Sequence, residues 1–131
     1  MADIARADFN LIMLNEHLGD NAGDINTDFP FKGASSSVKS FRIEGEPIDD
    51  AFLLMNHTQV NSLGHKVLVN GQELPDLPVK DADDKSVTQM ARIPPGRLRK
   101  GNNTLQFKLS GSDNFIIFYV VVNWREKTSH E

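Results

Sequence analysis

The chain has 131 residues, enough for one domain with a real core and too few for two comfortable ones. Its 39% apolar and 24% charged residues are those of a globular protein in water, and a net charge of −4 argues against general binding to a phosphate backbone. The absence of cysteine excludes disulfide scaffolds, thiolate zinc sites and cysteine nucleophiles.

Residues 1–8 are acidic and lack an apolar signal-peptide core, and no stretch is long enough to span a bilayer. The expectation for the chain as given is therefore no membrane partner, and a place in the cytoplasm or export by another route. The short basic cluster Arg97, Arg99 and Lys100 sits beside a Pro-Gly turn and reads as a solvated loop, so no nucleic-acid partner is expected.

The first strand is predicted at residues 9–14, with Phe9, Leu11 and Met13 on one face and Ile12 and Leu14 on the other. Residues 15–28 are polar and glycine-bearing and read as a long loop. Alternation predicts a second strand at 36–43 and a third at 51–60. The third begins in an apolar run, Phe52 to Met55, and ends in Asn56, His57, Thr58 and Gln59, as a strand emerging at a rim would. A short strand at 65–69 closes in Asn70-Gly71, a strong hairpin-turn signal. Residues 72–78 carry two prolines and cannot form a central strand. Strand character resumes at 86–93 and stops at Pro94-Pro95-Gly96, and Leu98 is the only apolar anchor of the turn that follows.

The last part of the chain is the expected organiser. Residues 102–109 alternate, with Leu105, Phe107 and Leu109 on one face. Residues 114–124 are apolar on both faces, which predicts a central strand covered on both sides. Ser110 to Asp113 has the composition of a tight turn, so the two runs are expected to form one hairpin. The polar tail at 127–131 is expected to fray. About seven strands, no helix and turns at short intervals give a single all-β domain over 1–131, an antiparallel sandwich or barrel.

From residue 51 onward the order of features resembles the galactose-binding-domain-like jelly rolls, such as the sugar-binding domains of family-two glycoside hydrolases and several carbohydrate-binding modules. Val67, Val69, Asn70 and Gly71 match an apolar-x-apolar-Asn-Gly hairpin. Leu98, Gly101, Asn103, Thr104 and Leu105 match the strand entry that follows it. The local logic is physical: Asn-Gly supplies positive φ, and the Asn103 amide can bond the loop backbone before the strand begins. The resemblance implies a jelly-roll β-sandwich and a non-catalytic, lectin-like module with a carbohydrate ligand. It is also compatible with a structural calcium, for which Asp20, Asp24 and Asp28, or Asp81, Asp83 and Asp84, could supply oxygen ligands, although neither run has the spacing of a known calcium loop. No other cofactor is implied.

The residues that could hold a ligand are Asn56, His57, Asn61, His65, Arg92, Asp113 and Asn114, all at strand ends and turns. His57 and His65 flank one turn and could approach across a hairpin, but a third metal ligand at known spacing is lacking. No acid falls on an apolar strand where burial would raise its pKa, and no Gly-x-Ser-x-Gly elbow or phosphate loop is present. Trp124 and Tyr119 are expected to pack in the core rather than to serve as sugar platforms. A second class of function stays open: a structural subunit that forms a homo-oligomer or meets a protein partner through one apolar face of the last strand.

Overall fold

The structure, a computed structural model, describes residues 4–62, 64–74 and 86–128. These residues form nine strands and no helix: β1 (Ile4–Gly19), β2 (Phe31–Gly33), β3 (Lys39–Ile43), β4 (Glu46–Thr58), β5 (Lys66–Val69), β6 (Gln72–Glu73), β7 (Ser86–Arg92), β8 (Gly101–Lys108) and β9 (Asn114–Thr128). They build two sheets, ordered β2-β1-β9-β4-β7 and β3-β8-β5-β6. All pairings are antiparallel except the short parallel contact of β1 with β2. The expected jelly-roll β-sandwich is the observed fold.

One core lies between the sheets. Leu53, Met55, Val120 and Val122 of the larger sheet meet Phe41, Val67, Leu105 and Phe107 of the smaller one. Each such side chain stabilises the fold by about 1.5–3 kcal/mol on burial. Period-two alternation sends these residues inward and their neighbours outward, so the larger sheet's outer face is fixed by the same pattern.

Several sequence expectations are corrected. The runs 102–109 and 114–124 do not form a hairpin: β8 pairs with β3 and β5, whereas β9 pairs with β1 and β4. Residues 109–113 carry the chain from one sheet to the other, a connection that hairpin-like turn composition does not distinguish from a tight turn. The strand β9 is central as expected, but no second layer among the described residues covers its outer face. Residues 15–19 belong to β1, which passes a bulge where Asn15 adopts φ of 52°. The tail is paired as far as Thr128.

Buried acids on strands were not expected, yet Glu16 and Glu126 are both buried. Each is tolerated because every side is bonded. Glu16 accepts from the Ser37 amide and hydroxyl. Glu126 accepts from the Trp124 indole, Arg6 and the Gly45 amide. Burial pushes the Glu126 carboxyl up, but the Trp124 indole and Arg6 guanidinium outweigh that and hold it below the ordinary carboxylate range. Trp124 is thus in the core, as expected, while Tyr119 lies half-exposed on the outer face.

Candidate functional site: a turn groove, two clasps and an open sheet face

The seven sequence-selected residues separate into four places. Asn61, His65 and Asp113 form one internal clasp. The Asp113 carboxylate accepts from the Asn61 amide at 3.0 Å, the Ser62 amide at 3.1 Å and His65 Nε2 at 2.8 Å. His65 Nδ1 accepts from the Ser110 amide at 3.1 Å, which places the ring hydrogen on Nε2, aimed at Asp113. Burial pushes the Asp113 carboxyl up, but the His65 imidazole and three backbone amides together hold it below its ordinary range. The Phe115 ring lies against His65, with centroids 4.4 Å apart.

Asn114 forms an adjoining clasp. Its Oδ1 accepts from His17 Nε2 and the Asn21 amide, and its Nδ2 donates to Asp20. Gly19 is required there: a Cβ at that position would sit 1.8 Å from Asn114 Oδ1. Both clasps tie loops to the start of β9 and spend the polar atoms on the chain itself.

His57 does not approach His65. It points between the sheets, where Nε2 bonds Gln89 Oε1 at 3.0 Å. Asn56 and Arg92 lie on the larger sheet's outer face, where Asn56 donates to Thr88 Oγ1. Among the described residues no three His, Cys, Asp or Glu side chains converge as a metal site. Of the first acidic run, Asp20 accepts from the Ser112 hydroxyl and the Asn114 amide. Asp81, Asp83 and Asp84 lie outside the described residues.

The described residues also form a groove that no sequence signal flagged as functional. Asn70, with φ of 54°, and Gly71, with φ of 79°, make the expected tight turn between β5 and β6. Asn70 donates to Asn103 Oδ1 and to the Arg97 carbonyl, and accepts from the Thr104 amide. Asn103, fully buried, bonds the Arg99 amide and carbonyl and the Gly101 carbonyl. The two matched motifs therefore lock to each other and hold residues 94–101 in one shape, with Leu98 as the buried anchor.

Two depressions open beside this turn. One, of about 280 Å³, lies between the turn and the start of β4 and is bordered by Glu46, Ile48, Pro94, Pro95 and Arg99. The other, of about 200 Å³, is bordered by Asn70, Gln72, Arg97 and Arg99. They share Gly96 and Arg99 as a common border, and the larger of the two is the candidate groove. It brings together the Glu46 carboxylate, the Arg99 guanidinium and flat apolar proline faces, which can bond hydroxyls in both directions while packing a ring. Its sequence signals, Pro-Pro-Gly and a short basic cluster, are those of an ordinary loop, so strand-end polarity does not point to it.

A family model, described as a family of unknown function, DUF7383, matches residues 6–126. No curated protein matches the chain in sequence. Among solved structures, the CBM36-1 domain of a multidomain xylanase from the hindgut metagenome of Trinervitermes trinervoides is similar at TM-score 0.57 and 10% identity, over 88% of this chain and 96% of that one. Dimeric latent PorU from Porphyromonas gingivalis is similar at TM-score 0.54 and 8% identity, over 96% of this chain but 13% of that one. A family 35 carbohydrate binding module from Clostridium thermocellum aligns at TM-score 0.42 and 14% identity, over 93% of this chain and 98% of that one.

Proposed function

The chain belongs to the DUF7383 family, and we propose that it is a non-catalytic module that binds carbohydrate in the groove beside residues 94–101. The observation that carries this reading is the groove itself, a rigid polar-and-proline cleft held by the Asn70–Asn103 lock on a sandwich of carbohydrate-binding-module shape. In it, the Glu46 carboxylate accepts from sugar hydroxyls, Arg99 donates to hydroxyl or ring oxygens, and the Pro94 and Pro95 rings pack against the sugar's C–H face. Arg97 is already spent on the Gln72 and Glu73 carbonyls and serves to shape the wall. Of the residues selected from sequence, Arg92 is nearest in the chain to this site. The clasp residues Asn61, His65, Asp113 and Asn114 act as scaffold.

The test is a broad glycan array, run with and without calcium, on the wild-type chain and on Glu46→Ala and Arg99→Ala. The expected result is a restricted set of hits, lost or weakened at least tenfold in both variants and unchanged by chelation. A folded protein that gives a blank array overturns the reading. Hits that survive both substitutions overturn the site.

A further inference from the structure

We infer that two copies of this chain pair face to face through the outer surface of the larger sheet, about a two-fold axis running along the strands between β9 and β4. This goes beyond carbohydrate binding and uses a different surface from the groove.

The first observation is the inverted pattern of β1. Its outward positions Ala5, Ala7, Phe9, Leu11 and Met13 are all apolar and all exposed, while the inward Asp8 and Asn10 are polar. Phe9 is 64% exposed, Leu11 53%, Met13 50% and, across the sheet, Met90 60%. A contiguous exposed apolar stripe of this kind marks an interaction surface.

The second observation is the register, which lines these residues up in rows. Leu11 pairs with Val121, Val121 with Leu54, and Leu54 with Met90, giving one aliphatic row across four strands. The row on one side reads Phe9, Asn123, Phe52 and Arg92, and the row on the other reads Met13, Tyr119, Asn56 and Thr88.

A two-fold axis between the two central strands makes this face complementary to itself. Val121 of one copy then covers Leu54 of the other, and Leu11 covers Met90. The Phe9 ring meets the Arg92 guanidinium, a cation–π contact. Beyond the apolar rows the register pairs Arg125 with Ile48, and Arg125 bonds Asp50 of its own chain. Sheets that pack face to face align within about 30°, so the match is closest at the central row and loosens outward.

The area suits a weak, concentration-dependent dimer. Four strands about 4.8 Å apart and rows spanning some 20 Å give roughly 400 Å² of flat surface per copy before side-chain relief is counted. That is about 800 Å² for the pair, a contiguous patch of functional size but below the roughly 1,200 Å² of stable complexes, so the pairing is a weak and reversible one. The dimer is therefore expected to dissociate on the order of 1–100 μM.

Sedimentation equilibrium from about 1 μM to about 1 mM brackets that range. Wild-type chain is expected to pass from monomer to dimer, and Leu11→Glu and Met90→Lys are each expected to stay monomeric with wild-type circular dichroism. Both side chains are more than half exposed, so neither change should disturb folding. The axis makes a sharper demand: mixing the Leu11→Glu and Met90→Lys chains should restore a heterodimer, because the two new charges then face each other. A wild-type chain that remains monomeric to the top concentration overturns the inference. So does a dimer untouched by Leu11→Glu, and a mixture that fails to pair overturns the axis. Loss of glycan binding in Leu11→Glu would instead assign this face to the sugar. Retained binding with loss of the dimer separates the two surfaces.

Discussion

Removing the Asp113 carboxylate is expected to loosen a whole end of the sandwich rather than to remove a ligand contact. In Asp113→Ala the amides of Asn61 and Ser62 and the buried His65 donor lose their acceptor, and the Asn114 amide loses its own. Ordinary hydrogen bonds contribute about 1 kcal/mol each, and a buried donor left unsatisfied costs about 1–3 kcal/mol, so the expected loss is about 3–5 kcal/mol. For a chain of this size that lowers the melting temperature by roughly 10–20 °C. Thermal unfolding followed by circular dichroism at pH 7 reads this directly, and the array hits should persist at temperatures where the variant is folded. A melting temperature within about 3 °C of wild type, or loss of glycan binding at unchanged stability, would refute the reasoning and make Asp113 a ligand-facing residue.

Acid should destabilise the protein through Asp113 and Glu126. Both carboxyls are held below their ordinary range when folded, so their contribution is complete above the unfolded values near about 4 and is lost as pH falls through the folded values. Urea midpoints measured from pH 7 to pH 3 should fall, and Glu126→Gln should show a shallower fall from a lower starting stability. Gly19→Ala should destabilise by about 1–3 kcal/mol or more, because its Cβ collides with Asn114 Oδ1 and 3.0 Å from it lies the Asp113 carbonyl. The same urea titration checks it, and a neutral result would show that the Asn114 clasp can move aside. Phe107→Ala, in the middle of the core, should cost about 3–5 kcal/mol in that assay.

The parts of the fold written in local alternation were legible. The inward set of β8, the Asn70-Gly71 turn and the amide role of Asn103 all follow from rules that act within a few residues. Sheet membership was not, because Ser110 to Asp113 has the same composition whether the chain turns back on itself or crosses between sheets. The length of β1 was hidden by Asn15, whose positive φ inserts a bulge into what reads as a loop. Glu16 and Glu126 escaped notice because the partners that make their burial tolerable, Ser37 and Arg6, are distant in sequence.

The candidate site was less legible than the fold. Polar residues at strand ends were a reasonable place to look, yet Asp113 and Asn114 are polar for the chain's own sake. The selection could not tell a clasp from a binding site, since both want directional groups at turns. The groove instead arises from two motifs far apart in the chain, joined by the Asn70–Asn103 bond, and from prolines whose faces read only as turn formers.

The central claim is that sugar binds beside residues 94–101. An amide nitrogen–proton correlation spectrum, titrated with the strongest glycan from the array, tests it most directly. Sugar bound there gives saturable shifts at residues 46–48, 70–72 and 96–101, with little change at Asn61, His65 and Asn114. Shifts centred on those three residues, or none at a saturating glycan concentration, would contradict it.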